Sequence, residues 1–288
     1  MAIVYLNGEY LPAEEAKVSV LDRGFVFADG VYEVIPAYGG HLLRLEQHLQ
    51  RLDDSLEGIR LARPLDHGQW AEVLAELIRR NRDNQNDLSI YLQVTRGVAR
   101  RDHVFPETIK QTVFAMATPM APVPAEQLEN GVAAITHDDI RWRYCHIKSI
   151  ALLPNILMRQ VAREAGAAEA ILHRAEQVTE GAASNVFIVH DGHILTPRKD
   201  ECLLPGVTRD LVLEIAADAG LDCEEADISM SMLREATEIW VTSSTREILP
   251  VTRLDGLPVG NGKPGPVWRD MLDRYQVYKD KLRQGAVR

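Results

Sequence analysis

The chain has 288 residues, of which 46% are hydrophobic and 26% are charged. This length allows one large domain or two of ordinary size, and this composition is typical of folded globular proteins and not of disordered ones. The 32 basic and 42 acidic residues give a net charge of −10, which argues against nucleic acid and against an anionic membrane surface as partners.

Patterns of apolar residues predict both strands and helices in the first part of the chain. Alternating or β-branched runs predict strands at 3–7, 31–38, 89–95 and 112–117. Apolar residues spaced three and four apart predict amphipathic helices at 41–59 and at about 67–82. Three prolines within 118–124 cannot continue a helix or a central strand. We therefore expect a first domain of residues 1–118, a linker at 119–124 and a second domain of 125–288.

The second part of the chain is also predicted to mix helices with strands. Strands are expected at 131–136, 168–173, 185–190, 193–196 and 238–243, the third and fourth joined by a two-residue hairpin at Asp191-Gly192. Helices are expected at 150–165 and 208–219, each followed by a glycine. Paired strands of this kind favour an α+β fold over a doubly wound parallel sheet.

The cysteines and histidines indicate neither a disulfide framework nor a metal site. The three cysteines are an odd number without C-x-x-C spacing, which is typical of a reducing compartment. No signal-peptide pattern and no apolar run of 18 residues is present. We expect a cytoplasmic protein. Five histidines could be considered as ligands near Cys145, but their spacing fits no zinc pattern, and no metal is predicted; they are His137, His146, His173, His190 and His193.

Lys148 stands out among only seven lysines because it precedes an apolar helical run. An apolar environment disfavours the charged ammonium and makes the amine a Schiff-base nucleophile. The alternative is a lysine that packs only its stem and keeps its charge in water. The residues alone leave both open.

Two further segments are candidate ligand sites with equally simple alternatives. Residues 179–185, which contain Glu180, combine a carboxylate, small residues and an amide, which suits close approach of a flat ligand or an ordinary loop. Residues 204–210 open a predicted helix, where free N–H groups and the Thr208 hydroxyl can bind phosphate, or where Thr208 only caps the helix. Ser243 and Ser244 belong to a hydroxyl cluster at 241–245 that is weak evidence by itself.

Arginines supply two more candidates. Arg51, between two leucines of the first predicted helix, can point into a pocket or lie on the surface. A group of basic residues follows the strand at 89–95 and suits a carboxylate ligand or a solvated loop; it consists of Arg96, Arg100, Arg101 and His103.

Six segments, in chain order, carry a further pattern: DRGFVFADGVYEV at 22–34, QVTRGVARRDHVFP at 93–106, DIRWRYCHIKS at 139–149, AILHRAEQVTEGAASNVF at 170–187, GVTRD at 206–210 and VTSSTREILPV at 241–251. Taken together and in this order, they resemble the class IV, or fold-type IV, pyridoxal-phosphate aminotransferases, and most closely the D-amino acid aminotransferases.

The resemblance implies a fold, a cofactor and a reaction. It implies a small N-terminal α/β domain, a larger C-terminal α+β domain with a barrel-like sheet, and pyridoxal 5'-phosphate at the domain interface. The implied reaction is ping-pong transamination from a D-amino acid similar to D-alanine to a 2-oxo acid such as 2-oxoglutarate.

The resemblance also assigns roles to residues of the cofactor site. Lys148 takes the place of the lysine that forms the Schiff base with the cofactor and moves the proton. Glu180 takes the place of the carboxylate that pairs with the pyridinium nitrogen. The positions that bind the phosphate or the rest of the cofactor are matched by Arg51, Val207, Thr208, Ser243 and Ser244.

For the substrate, the resemblance implies a trap for the α-carboxylate made of Tyr32, Arg101 and His103, the last two from the neighbouring subunit of a homodimer. Ala28 departs from the glycine that is frequent in this family's ADG segment, which leaves the substrate range open. On the same scaffold the alternatives are an L-branched-chain aminotransferase, an R-selective amine transaminase and aminodeoxychorismate lyase.

Overall fold

The computed structural model describes residues 2–81 and 87–287 and divides the chain into two compact units. The first unit comprises Met1–Ala121, Ile147–Ala151 and Lys279–Arg288, and the second comprises Pro122–His146 and Leu152–Tyr278. The predicted last residue of the second helix, residue 82, lies outside the described residues. Each unit has its own sheet and its own hydrophobic core.

The first unit contains a six-stranded antiparallel sheet with the order β2-β1-β6-β5-β3-β4. Its strands are β1 (Ile3–Leu6), β2 (Glu9–Pro12), β3 (Gly30–Tyr38), β4 (His41–Leu42), β5 (Leu88–Thr95) and β6 (Thr112–Pro119). Its helices are α1 (Arg23–Phe27), α2 (Leu45–Gly58) and α3 (His67–Asn81). The apolar faces of α2 and α3 pack with the inward residues of the sheet around Trp70 and Leu52, which are almost fully buried.

The helix predicted at 41–59 is shorter than expected. Residues 41 and 42 form β4 and pair with the end of β3, and α2 starts only at Leu45. Arg44 has a φ of +48°, a left-handed conformation that the interior of a right-handed helix does not admit. The apolar spacing continued through Leu42 by coincidence, because that residue contributes to the same core from a strand.

The second unit contains a nine-stranded mixed sheet with the order β12-β11-β10-β13-β14-β7-β8-β9, and β15 pairs with β14 off this path. Its last strand, β9, also lies against β10 and β11, so the sheet curls into a half-barrel. The strands are β7 (Val132–Asp138), β8 (Glu169–Arg174), β9 (Gln177–Gly181), β10 (Asn185–His190), β11 (His193–Pro197), β12 (Cys223–Ala226), β13 (Glu238–Ser243), β14 (Glu247–Leu254) and β15 (Leu257–Pro258).

The remaining helices are α4 (Ala125–Asn130), α5 (Leu153–Glu164), α6 (Val207–Asp218), α7 (Met230–Glu235) and α8 (Pro266–Arg283). The mixed strand pairing with separate helices confirms the α+β class. The hairpin at Asp191-Gly192 is also confirmed, with positive φ at both residues as a tight β-hairpin turn requires.

The helix predicted at 150–165 starts three residues late. Residue 150 lies outside the helix, and its N–H donates to the Gly30 carbonyl 3.0 Å away. The helix α5 then begins at Leu153 with Pro154 in its first turn, where a missing N–H costs nothing. Residues 179–181, one of whose interpretations was a loop, form part of β9.

Among residues 2–81 and 87–287, no helix is both long enough and apolar enough to cross a membrane. In the same part of the chain, no group of three or more His, Cys, Asp or Glu side chains is placed to hold a metal ion.

Gly97, two residues after the end of β5, provides a test of the first unit's backbone. It has a φ of +86°, and an added Cβ would lie 1.9 Å from the Lys110 carbonyl oxygen. Gly192 has a similar φ of +84° but no atom within 4 Å of its added Cβ.

We expect Gly192→Ala to lower the free energy of unfolding by about 1 kcal/mol. Gly97→Ala should lower it by more than about 2 kcal/mol because backbone strain and a clash combine. Urea denaturation measures both, and equal losses would contradict the described contact.

Candidate active site

Lys148 lies in a short extended segment that pairs with the edge of β3 in the first unit. The Lys148 carbonyl accepts from Tyr32 N at 3.0 Å, and Lys148 N donates to the Ser55 hydroxyl at 3.1 Å. The side chain is half-buried, and its Nζ lies 4.3 Å from the centre of the Tyr32 ring. Among the residues described, no carboxylate pairs with Nζ. The amine is therefore fixed by the backbone and by an aromatic face, which leaves it available as a nucleophile.

Arg51 is buried on α2 and not on the surface. Its Nε and Nη2 donate to the two oxygens of Glu33 at 2.7 and 2.8 Å, a bidentate ion pair. His48 Nδ1 lies 2.8 Å from the same carboxylate. Glu33 and His48 are fully buried, so this cluster sets the direction of the Arg51 guanidinium from inside the core.

The pKa values of Glu33 and His48 are both lowered, but for different reasons. Burial raises the pKa of Glu33, but Arg51 and His48 outweigh burial and hold it well below its usual range. Burial lowers the pKa of His48, and Arg51 and Lys148 lower it further, against the pull of Glu33. At neutral pH we therefore expect Glu33 as an anion beside the Arg51 cation.

Arg101 and His103 lie in the exposed loop between β5 and β6. The Arg101 Cζ is 5.2 Å from the centre of the Phe27 ring, and the His103 and Phe27 rings are 5.3 Å apart. The structure therefore brings these two predicted residues together on one aromatic side chain. Within the described part of this chain, neither forms a hydrogen bond, ion pair or ring contact with Tyr32 or Lys148.

Glu180 lies in β9 of the second unit and is buried. One of its oxygens accepts from Arg141 Nη1. The other accepts from Asn185 Nδ2 and from Leu204 N, each at 3.1 Å. Arg141 is itself held by two bonds to Asp139, at 2.8 and 2.9 Å. The carboxylate is thus held by one cation and two neutral donors.

Burial dominates the acidity of Glu180. It raises the pKa of this carboxyl to about 7, although Arg141 and the Leu204 N–H oppose the shift. The acidic neighbours hold the pKa of Arg141 above its usual range, so its charge is permanent. A nearby cation would favour the ionised form of Glu180, which makes this carboxyl suited to face a protonated ring nitrogen.

Asn185 links Glu180 to the start of α6. Its Nδ2 also donates to the Leu204 carbonyl at 2.9 Å, and a Cβ added to Gly206 would lie 1.9 Å from its Oδ1. Gly206 is the N-cap of α6, and no side chain caps the helix, so Thr208 does not act as the cap. The structure thus brings together Glu180 and the first turn of α6, with Val207 and the buried Thr208, which belong to two separate candidate segments of the sequence.

The hydroxyl cluster at 241–245 lies at the end of β13, beside Asn185 of β10. Thr242 pairs with Asn185 across β13 and β10. Its buried hydroxyl has no hydrogen-bond partner within residues 2–81 and 87–287. Ser243 accepts from Arg246 N at 3.3 Å, and Ser244 comes next in the chain. A buried hydroxyl without a protein partner is able to bond to a polar ligand at this end of β13.

Comparison with known sequences gives the family. The sequence profile described as Amino-transferase class IV matches residues 30–254. The chain is 41% identical to the D-alanine aminotransferase of Staphylococcus haemolyticus, over 96% of this chain and 98% of that protein. It is 42% identical to the D-alanine aminotransferase of Listeria monocytogenes, over 92% of this chain and 91% of that protein.

The chain is a class IV aminotransferase. Members of this family use pyridoxal 5'-phosphate, which is therefore the cofactor of this enzyme. Its residues fit such a group: Glu180 is a buried carboxylate with a raised pKa, and the buried Thr242 hydroxyl has no partner in the described part of the chain.

Solved structures agree with this aminotransferase fold. The Escherichia coli branched-chain amino acid aminotransferase matches with a TM-score of 0.90 and 29% identity, over 95% of this chain and 93% of that one. The branched-chain aminotransferase of the archaeon Thermoproteus uzoniensis, solved with norvaline, matches with a TM-score of 0.87 and 28% identity, over 96% and 94%.

Sequence reasoning missed several residues of this aminotransferase. Arg141 lies in the segment at 139–149, but Arg143 lies there too, and only the fold shows that Arg141 is the one that contacts Glu180. Asn185 is the last residue of the 179–185 segment, for which a ligand site and an ordinary loop were both open. Glu33 carries a signal that alternation alone could have found, because it is a carboxylate at an inward position of a strand.

The Glu33 cluster predicts a pH-dependent stability. Glu33→Gln removes a buried charge and takes the bidentate carboxylate away from the buried Arg51 guanidinium, which should lower the free energy of unfolding by about 3–5 kcal/mol near pH 7. Since the native pKa is depressed, this contribution is complete above the unfolded value of 4.5 and declines as the pH falls below it.

Urea denaturation of the cofactor-free protein between pH 3 and pH 7 checks this expectation. Glu57→Gln is the matched control, since Glu57 is exposed on the same helix α2 and should cost less than about 0.5 kcal/mol. A Glu33→Gln loss as small as that of the control, or one that grows as the pH falls, would contradict it.

Proposed function

We propose that this aminotransferase moves the amino group of a D-amino acid such as D-alanine to a 2-oxo acid such as 2-oxoglutarate by a ping-pong mechanism. The observation that carries the proposal is the Arg101-x-His103 pair, which stands on Phe27 with no carboxylate paired to Arg101 among the described residues. The relatives named D-alanine aminotransferase, at 41–42% identity, support the same substrate class.

Lys148 and Glu180 are proposed to serve the cofactor itself. When bound, pyridoxal phosphate supplies an electron sink for the bond that breaks at the substrate α-carbon. Lys148 Nζ would hold the cofactor and, once an incoming amine releases it, accept and return the proton at the α-carbon as a general base. The Glu180 carboxylate would keep a proton on the ring nitrogen, with Arg141 and Asn185 holding it in position.

The phosphate is proposed to bind at the first turn of α6 and at hydroxyls of the second sheet, together with Arg51. Val207 and Thr208 would offer their backbone N–H groups, and Thr208 its hydroxyl as well. Ser243 and Ser244 would add hydroxyls, and Arg51 a guanidinium that Glu33 holds in one direction. Fixing the phosphate would orient the ring through both half-reactions.

Tyr32, Arg101 and His103 are proposed to bind the substrate α-carboxylate, with Arg101 and His103 contributed by a second copy of the chain. Exposed apolar side chains in and beside this loop support an interface there; they are Val20, Leu21, Val98 and Val104, between 50% and 73% exposed. We therefore propose that the enzyme is a homodimer. Its proposed location is the cytoplasm.

The solved structures raise one competing function, the transamination of branched-chain amino acids. Branched-chain amino acid aminotransferases share this fold with TM-scores of 0.87 and 0.90, so the fold alone does not select the substrate. The Arg101-x-His103 pair and the higher identity to D-alanine aminotransferases argue for the D-substrate.

Turnover with the two donor classes tests the proposal. We expect the enzyme with 2-oxoglutarate to form pyruvate from D-alanine and to leave L-leucine unreacted. Lys148→Ala should lose turnover by at least about 1,000-fold. Arg101→Ala should keep the visible absorbance of the bound cofactor but raise KM for D-alanine by about 10- to 100-fold, because a charge-assisted hydrogen bond is lost. Turnover of L-leucine alone would overturn the proposal.

Mixed subunits test whether the trap comes from the second copy. Lys148→Ala and Arg101→Ala chains, unfolded together and refolded with cofactor, should form hybrid dimers with one complete site each. Because half of randomly paired dimers are hybrids, activity should recover to about a quarter of wild type, far above either variant alone. If each chain's own trap serves its own Lys148, mixing will restore nothing.

A further inference from the structure

Phe27, the last residue of α1, makes contacts that neither the cofactor nor the mechanism explains. Its ring lies 5.3 Å from the His103 ring at an interplanar angle of 43°, and 5.2 Å from the Arg101 Cζ. The Arg23 Cζ lies 4.9 Å from the same ring. One aromatic side chain thus contacts both basic residues of the proposed carboxylate trap.

The backbone of the trap loop is held separately, by polar contacts. Arg23 N donates to the Gly97 carbonyl at 2.8 Å, and Arg23 Nη1 donates to the Asp102 carbonyl at 2.5 Å. Arg23 is in turn paired with Asp29 at 2.7 Å. These bonds place the main chain of the loop, but they do not set the side-chain rotamers of Arg101 and His103. Ring contacts with Phe27 can do so.

An aromatic ring is chemically the appropriate support for an arginine that must bind a carboxylate. A supporting Asp or Glu would occupy the guanidinium N–H donors and compete with the substrate. A ring attracts the cation through its π face and uses none of those donors. In the described part of the chain no carboxylate is paired with Arg101, although the protein carries 42 acidic residues.

We propose that Phe27 is a positioning residue, which holds Arg101 and His103 in the rotamers that bind the substrate α-carboxylate. The proposal rests on the proposed function of these two residues. It assigns Phe27 no contact with reacting atoms, so its effect should appear in substrate affinity and not in the chemical step.

Phe27→Leu tests the proposal by keeping an apolar side chain and removing the ring. We expect KM for both D-alanine and 2-oxoglutarate to rise about three- to tenfold, as loss of a cation–π contact predicts. The value of kcat should stay within about twofold of wild type, since Lys148 and the bound cofactor are unaffected. Phe27→Tyr keeps the ring and should restore KM to within about twofold.

Phe25→Leu is the matched control. Phe25 lies on the same helix, is 76% exposed and makes no ring contact with Arg101 or His103 among the residues described. Its substitution should leave KM unchanged. Thermal unfolding and the oligomeric state of all variants are measured in parallel, so that a fold defect is recognised independently of the kinetics.

A double-mutant cycle shows whether Phe27 acts through Arg101. In an Arg101→Ala background, Phe27→Leu should raise KM for D-alanine by a smaller factor than it does in wild type, because of the two partners only His103 remains. An equal rise in both backgrounds, or a loss confined to kcat, would overturn the positioning role. If wild type instead used only L-leucine, the proposed function would fail, and that result is read from the wild-type enzyme alone.

Discussion

The main-chain hydrogen bonds between β3 and residues 148–150 are the constraint on which the chemistry of the first unit depends. The strand β4 pairs only with the far end of β3, so the edge at Gly30–Tyr32 is open to another segment. Tyr32 and Ile150 donate the two bonds that bring Lys148 to that edge. Because successive side chains of a strand point to opposite faces, Tyr32 faces the Lys148 amine while Glu33 faces the core and orients Arg51.

Two buried carboxylates show how different neighbours produce different chemistry. Glu33 meets a bidentate guanidinium and an imidazole, and it is a permanent anion. Glu180 meets one N–H of an arginine that Asp139 already shares, plus two neutral donors, and its pKa rises to about 7. The first carboxylate is a structural part of the core. The second has a charge that responds to what lies beside it, which is a property expected of groups at functional sites.

The sequence predicts most strands and helices whose apolar spacing is uninterrupted, and it fails where the backbone departs from that spacing. The predicted helix at 41–59 includes Arg44, but Arg44 has a left-handed conformation that nothing in the sequence indicates. The helix predicted at 150–165 begins too early because a short apolar run suits a helix and a strand edge equally well. The N–H of Ile150 bonds to the edge of β3 instead. Arg141 and Asn185 were missed for a different reason: sequence shows which residues carry charge or amide groups, but burial and partners depend on tertiary packing.

The assembly of the first unit from three separated stretches has a consequence for biosynthesis. The Tyr38 ring at the end of β3 receives Lys279 and Arg283 of α8, at 4.9 and 5.4 Å, although more than 200 residues separate them in the chain. At ~5–20 residues per second, a ribosome needs on the order of tens of seconds to synthesise the intervening chain. The segment that carries Lys148 is synthesised near the middle of that interval, and the last turns of α8 only at its end. Until that segment emerges, the open strand edge at Gly30–Tyr32 is a place where a chaperone, or an unwanted strand from another nascent chain, can bind.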